Sequence, residues 1–152
     1  SRPTHMMMGV ASPDLVPLIA NTLALGGYKQ AIAVCGAGGY DEVTAFGPAT
    51  AMSVRNGVVS PMEIDPAALG FEPPANEDEL RVASKEDASA VLKDILQGKG
   101  PKAMMDMVAL NVAVAVSLFE PELDRHICVE RARKAVAEGT GGKLVQSWKF
   151  KP

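Results

Sequence analysis

Two adjacent acids, Asp41 and Glu42, follow a glycine-rich stretch that begins at Gly36. Adjacent carboxylates supply the hard oxygen ligands that Mg²⁺ prefers, and Mg²⁺ usually takes one or two of them and completes its shell with water and phosphate. Small residues let the backbone approach a ligand closely, so Gly36 and Gly39 are candidate ligand-binding positions. The same letters also suit a glycine-rich turn with two solvated acids, and spacing alone favours that simpler interpretation.

The elements that must position these acids alternate between strands and helices. Residues 6–10 and 31–34 are short apolar runs that predict strands. Between them, Ser12-Pro13-Asp14 begins a helix with a Ser N-cap, and Gly26-Gly27 ends it. Such a βαβ unit has parallel strands, and the acid-bearing loop then lies at the carboxyl end of the second strand, where ligands bind in α/β sheets.

The rest of the chain predicts three further strands, an irregular segment and three helices. The strands are predicted at 43–46, 51–54 and 58–64, with a hairpin turn at Asn56-Gly57. A Pro-rich irregular segment covers 65–75. A capping box at Ser84 begins one helix, a helix at 104–118 is apolar on nearly all sides and should be buried, and a helix at 123–137 is amphipathic. This order predicts a single α/β layered domain over residues 1–152, with a mostly parallel or mixed central sheet flanked by helices.

Other candidate groups receive structural interpretations. Cys35 and Cys128 lack CxxC spacing, and buried structural thiols are expected at both positions. His5 and His126 share no metal-ligand spacing, so neither is assigned a catalytic role. Asn111 interrupts an apolar helix and must find hydrogen-bond partners if it is buried, most simply in a neighbouring loop, with a ligand role as the alternative.

A second glycine-rich stretch, Gly139-Thr140-Gly141-Gly142, resembles a phosphate-binding loop by its letters. It follows a predicted helix rather than preceding one, so it would offer no helix N-terminus to an anion. We therefore interpret this stretch as a helix terminator.

Composition narrows the class of protein. The chain has 152 residues and a formal net charge of −3, whereas a nucleic-acid binder normally shows a basic face, so no nucleic-acid partner is expected. No uninterrupted apolar run reaches the roughly 18 residues of a membrane-spanning helix, so no membrane partner is expected. Two cysteines without a disulfide or zinc pattern fit a reducing, cytoplasmic setting. The chain begins at Ser1 and reaches its first Met at Met6, so its start was processed or tagged, or it is a piece of a longer protein.

Several motifs occur in the order found in anthranilate phosphoribosyltransferases. That family carries H-G-x-D-G-x-D-E followed by Ile or Val, and residues 35–43 here read C-G-A-G-G-Y-D-E-V. Upstream, the chain is similar to the family at Arg2-Pro3, Gly9-Val10 and Pro13-Asp14-Leu15-Val16. Downstream, it is similar at Asp65-Pro66, Leu69-Gly70, residues 88–98, Lys99-Gly100-Pro101 and residues 109–113. The resemblance covers about residues 2–145.

The resemblance implies a transferase that moves a phosphoribosyl group from phosphoribosyl pyrophosphate (PRPP) to anthranilate in tryptophan biosynthesis. It implies that Asp41 and Glu42 hold Mg²⁺ against the pyrophosphate, with the Gly36 and Gly39 loop nearby. The metal would neutralise the leaving group as charge develops on it. Members of the family are commonly dimeric, so a homo-oligomer is possible.

Two departures and one absence qualify this resemblance. Cys35 stands where the family has His, and Gly38 stands where it has the first loop Asp. The family's PRPP loop and most of its small helical domain precede the matched region. We therefore expect a C-terminal fragment that is inactive alone; a paralogue with another acceptor and a non-catalytic binding module are the alternatives.

Overall fold

A four-stranded mixed sheet forms the centre of the computed structural model, which describes residues 3–148. The strands are β1 (His5–Gly9), β2 (Gln30–Cys35), β3 (Ala49–Arg55) and β4 (Val58–Ile64), and they lie in that order. β1 and β2 are parallel, whereas β3 pairs antiparallel with both β2 and β4. The predicted α/β class with a mixed sheet is confirmed, and so is the parallel pair of the βαβ unit. Arg2 of the family resemblance lies outside the described residues.

Helices cover both faces of this sheet. They are α1 (Val16–Leu25), α2 (Lys85–Leu96), α3 (Lys102–Phe119), α4 (Arg125–Ala137) and α5 (Thr140–Ser147), with 3-10 turns at Pro13–Leu15 and Glu77–Leu80. α1 packs on one face, where Val16, Ala20 and Leu23 are buried against β2 and β3. α3 and α4 pack together over the other face and form the larger apolar core with it.

The predicted start of the first helix is wrong in detail. Ser12 has extended backbone but makes no side-chain cap hydrogen bond, and a 3-10 turn occupies the next three residues. The α-helix therefore begins at Val16, and Pro17 lies within its first two residues, where no N–H is needed. Gly26 then ends the helix as predicted.

The predicted strand at 43–46 is also wrong, because these residues form a loop. The backbone N–H of Val43 donates to the side chain of Asn111, and the hydroxyl of Thr44 donates to the Ala37 carbonyl. A side chain from α3 thus takes the place of the neighbouring strand that the apolar residues would otherwise require.

The prediction of a buried helix at 104–118 is only half right. α3 buries one side, formed by Ala109, Leu110, Ala113, Val114 and Leu118. Its other side is partly exposed, and Phe119 at its end is 64% exposed. Among the described residues α3 has the length and apolar composition of a membrane-crossing helix, a property that core helices of soluble proteins share.

The glycine-rich stretch at 139–142 ends one helix and begins another. Gly139 has φ of +63° and follows α4, so the interpretation as a helix terminator is confirmed. The expectation that no helix follows is wrong, because α5 starts at Thr140. A Cβ on Gly142 would lie 2.6 Å from the Leu96 carbonyl oxygen, so the missing side chain lets α5 pack closely on the end of α2.

The hairpin turn between β3 and β4 is confirmed. Asn56 and Gly57 have φ of 50° and +83°, which is the positive pair that a two-residue type I′ turn needs. β4 begins and ends where the sequence predicts.

Replacing Gly57 with Ala should lower the free energy of unfolding by about 1–2 kcal/mol, since the backbone must stay in the left-handed region. No atom lies within 4 Å of the added Cβ, so the cost is conformational and not a clash. Chemical denaturation measures the change. Ser60→Ala, on the same hairpin in extended backbone, is the control, and an equal loss in both variants would contradict the prediction.

Candidate functional site

The two acids follow a short closed loop at the end of β2. The N–H of Gly36 donates to the Tyr40 carbonyl at 2.8 Å, and the N–H of Gly39 donates to the Gly36 carbonyl at 3.1 Å. These bonds close the loop, so the chain emerges with Asp41 and Glu42 beside the end of β2. Both acids are exposed, which leaves their carboxylates accessible to a ligand.

Two glycines at strand ends leave room for the backbone of the two acids. A Cβ on Gly9, the last residue of β1, would lie 1.5 Å from the Asp41 carbonyl oxygen. A Cβ on Gly36, the first residue after β2, would lie 2.0 Å from the Glu42 carbonyl oxygen. The two parallel strands therefore end on residues whose missing side chains leave room for the acids' own peptide groups.

The candidate ligand-binding glycines differ in their surroundings. The space above Gly36 is filled by the Glu42 carbonyl, so this glycine positions the acids rather than lying open to a ligand. Gly39 is exposed with φ of +79°, and its N–H is already donated to Gly36. The role of either glycine toward a ligand stays a prediction. Sequence reasoning missed Gly9, although a glycine that closes a strand beside a parallel neighbour is a readable signal.

The residues after the acids are anchored in the protein interior. Val43 and Thr44 are fully buried. Oδ1 of Asn111 accepts the Val43 N–H, and Nδ2 donates to the Val43 carbonyl, at 2.9 Å and 2.8 Å. The structural role expected for Asn111, a bond to a neighbouring loop, is confirmed. The Thr44 hydroxyl donates to the Ala37 carbonyl at 3.0 Å and ties this anchor back to the glycine-rich loop.

The two carboxyl groups influence each other. Partial burial raises the pKa of the Glu42 carboxyl above its ordinary value, and a hydrogen bond with Asp41 and the charge of Asp41 raise it further. Two like charges this close disfavour the doubly ionised pair. A cation between them would relieve that repulsion.

This donor set fits Mg²⁺ better than a metal that needs a complete protein shell. The pair offers hard oxygens, and no group of three or more His, Cys, Asp and Glu within residues 3–148 could hold a metal. Mg²⁺ is commonly bound by one or two carboxylates, with water and substrate phosphates filling the remaining positions. Asp41 and Glu42 could hold such an ion only together with a ligand that brings its own oxygens.

An open apolar groove of about 450 Å³ lies beside Glu42. It is bounded by Leu80, by Ile95 of α2 and by the exposed side of α3. The α3 residues that line it are Met104, Met107, Val108, Asn111, Val112 and Ala115. The site is therefore solvent-exposed at the carboxylates and apolar immediately next to them.

The other candidate groups lie away from the acids or inside the core. Cys35 and Cys128 are 3% and 1% exposed, so the buried interpretation is confirmed for both thiols. Burial raises the pKa of the Cys128 thiol, and the charge of Glu120 adds to that effect. His5 stacks on Phe119 at a ring separation of 4.7 Å, at the opposite end of β1 from Gly9.

Comparison with known proteins shows the family of this chain. The family described as glycosyl transferase family, a/b domain, matches residues 1–141. The chain belongs to this family. Among curated relatives of this α/β domain, the anthranilate phosphoribosyltransferase of Oleidesulfovibrio alaskensis is 43% identical over 97% of the chain, and that of Nitratidesulfovibrio vulgaris is 41% identical over 97%. The chain spans only 44% and 45% of those two proteins.

Solved structures show the same fold. The anthranilate phosphoribosyltransferase of Saccharomyces cerevisiae in complex with 4-fluoroanthranilate superposes with a TM-score of 0.83 at 21% identity. The same yeast protein in complex with PRPP and Mg gives 0.80 at 22% identity. Each match covers 94% of this chain and 41% of the yeast chain, so the glycosyl transferase α/β domain here corresponds to part of a larger protein.

Gly36→Ala should displace the acid-bearing loop, because the new Cβ would overlap the Glu42 carbonyl oxygen. We expect a loss of about 1–3 kcal/mol in the free energy of unfolding, the range for overpacked sites, measured by chemical denaturation. Gly47→Ala is the matched control, since its Cβ would meet no atom closer than 3.4 Å, on Ala37. If Gly36→Ala were as stable as Gly47→Ala, the close approach of the Glu42 carbonyl to Gly36 would be contradicted.

Neither cysteine should react with a thiol reagent in the folded protein at pH 8. Both side chains are buried, and the raised pKa of Cys128 keeps its thiol protonated, which removes the reactive thiolate. Spectrophotometric labelling should detect two reactive thiols only after denaturant is added. Rapid labelling of one thiol in native buffer would contradict this packing.

Proposed function

We propose that this chain provides the metal and pyrophosphate side of a phosphoribosyl transfer site, in a protein that uses PRPP and anthranilate in tryptophan biosynthesis. The single observation that carries the proposal is the exposed Asp41-Glu42 pair, held by its backbone at the ends of two parallel strands. Relatives at 43% and 41% identity named anthranilate phosphoribosyltransferase support this substrate pair. We propose a cytoplasmic location, which two cysteines without a disulfide pattern support.

The chemistry needs few residues from this chain. A bound Mg²⁺ would neutralise the negative charge that grows on the departing pyrophosphate. Asp41 and Glu42 would offer the oxygens to hold the ion, from a backbone fixed against Gly9 and Gly36. The glycine-rich loop would let phosphate oxygens approach its backbone, since Gly38 and Gly39 carry no side chains.

We propose that the rest of the site is supplied by a further segment. The chain spans less than half of each of the two curated relatives, and the groove beside Glu42 is open and apolar. A protein segment over this groove would exclude water from the reacting atoms, which strengthens the electrostatic interactions there. The PRPP loop and the acceptor-binding residues would belong to that segment.

A second candidate is transfer to an acceptor other than anthranilate. The departures from the family motif at Cys35 and Gly38 suggest this alternative. Cys35 is buried under α1 and not directed at the loop surface, so this departure changes packing in the core. Gly38 has φ of +87°, which most residues avoid, and it leaves the loop with two carboxylates rather than three. The surviving pair favours a metal role over a non-catalytic module.

Asp41→Asn combined with Glu42→Gln should abolish binding of Mg²⁺ with inorganic pyrophosphate, because amide oxygens carry no charge for the ion. Isothermal titration of the 152-residue chain measures the binding. The double variant Glu130→Gln with Glu138→Gln removes the same charge from exposed positions at α4 and should bind as the parent does.

Equal binding by the parent and the Asp41-Glu42 variant would remove the metal role from this pair. Equal loss in both double variants would show that only net charge attracts the ion. Either result contradicts the proposal.

The purified 152-residue chain should give no phosphoribosyl anthranilate from PRPP, anthranilate and Mg²⁺. The physical reason is the missing segment, without which PRPP is held on one side only. Fluorescence loss of anthranilate measures turnover, with a complete relative as the positive control. Steady turnover by this chain alone would overturn the need for a further segment.

A further inference from the structure

A side chain of α3 binds the backbone of the acid-bearing loop as a neighbouring strand would. Oδ1 of Asn111 accepts the Val43 N–H, and Nδ2 donates one proton to the Val43 carbonyl. The second Nδ2 proton goes to the Met107 carbonyl at 2.9 Å, one turn earlier in the helix. Every donor of this amide is therefore used.

A primary amide is suited to this position because it presents an acceptor and a donor side by side. A carboxylate would offer no donor to the Val43 carbonyl, and an aliphatic side chain would offer neither group. Reversing the oxygen and nitrogen of Asn111 would break all three bonds, so the orientation of the amide is determined by its partners.

The bound residue lies directly after Glu42. The Glu42 carbonyl rests against Gly36, and the next residue, Val43, is fully buried and paired with Asn111. The peptide that joins Glu42 to Val43 is thus held on both sides. Its orientation sets the direction in which the Glu42 side chain leaves the backbone.

We infer that Asn111 is a positioning residue for the metal-binding pair, acting through the Val43 backbone without touching the ion. Asn111 and Glu42 also line the same groove. The inference rests on the proposed metal role of Asp41-Glu42. A purely structural Asn111 would stabilise the fold and leave the affinity for a cation unchanged.

The test measures cation affinity separately from stability. Mn²⁺ with inorganic pyrophosphate is the probe, since carboxylates bind Mn²⁺ as they bind Mg²⁺ and its paramagnetism broadens nearby amide signals in NMR spectra. Asn111→Ala should weaken Mn²⁺ binding on the order of tenfold, the lower end of losses for groups behind a metal ligand. Amide hydrogen exchange at Val43 should become faster. Asn111→Ser, a milder change, is the second variant if Asn111→Ala folds poorly.

Leu118→Ala is the matched control. Leu118 is buried on the same helix at the other end of the sheet, so its truncation destabilises the core without touching the loop. This variant should keep parental Mn²⁺ affinity and parental exchange at Val43 under conditions where it is folded.

The possible failures are distinguishable. Parental Mn²⁺ affinity in the Asn111 variants would overturn the positioning role and leave the proposed function standing. Equal weakening in Leu118→Ala would show that general stability explains the effect, and would also overturn it. No broadening at residues 41–43 in the parent chain would overturn the proposed metal role and this inference together.

Discussion

The site depends on a steric constraint at the ends of two parallel strands. Gly9 and Gly36 have no side chains, and the carbonyl groups of Asp41 and Glu42 occupy the space that side chains would fill. Parallel strands bring their carboxyl ends to the same edge of a sheet, so both gaps face the same loop. The acids are thus positioned by their main chain, and their carboxylates remain free for chemistry.

α3 joins this loop to the rest of the fold. One side of the helix packs on the sheet and on α4, and a single polar residue, Asn111, reaches the loop from it. The side of α3 that faces away is apolar and open beside Glu42. One helix therefore belongs to the core, supports the site and forms one wall of the groove. This arrangement suits a domain that forms part of a larger active site.

The parts of the fold with local signals were predictable from the sequence. The hairpin at Asn56-Gly57 and the cap at Ser84, whose hydroxyl oxygen accepts the Asp87 N–H at 3.0 Å, depend on neighbouring residues alone. Residues 43–46 have strand-like composition, but a distant amide satisfies their backbone. α5 contains two glycines and has weak helix propensity, and its packing against α2 outweighs that propensity. The acids were readable as a pair, whereas the contact of their carbonyl groups with Gly9 and Gly36 depends on how the loop packs on the strand ends.

The distance along the chain between Val43 and Asn111 has a consequence for the order of assembly. The two residues are 68 positions apart, whereas the βαβ unit that carries the acids is built from near neighbours. Closing a long loop costs chain entropy that local pairing does not. We expect the strands and α1 to form early in folding and the acid-bearing loop to become fixed only when α3 docks. The site is then one of the last parts of this domain to acquire its final shape, although the strands that carry it are among the first to pair.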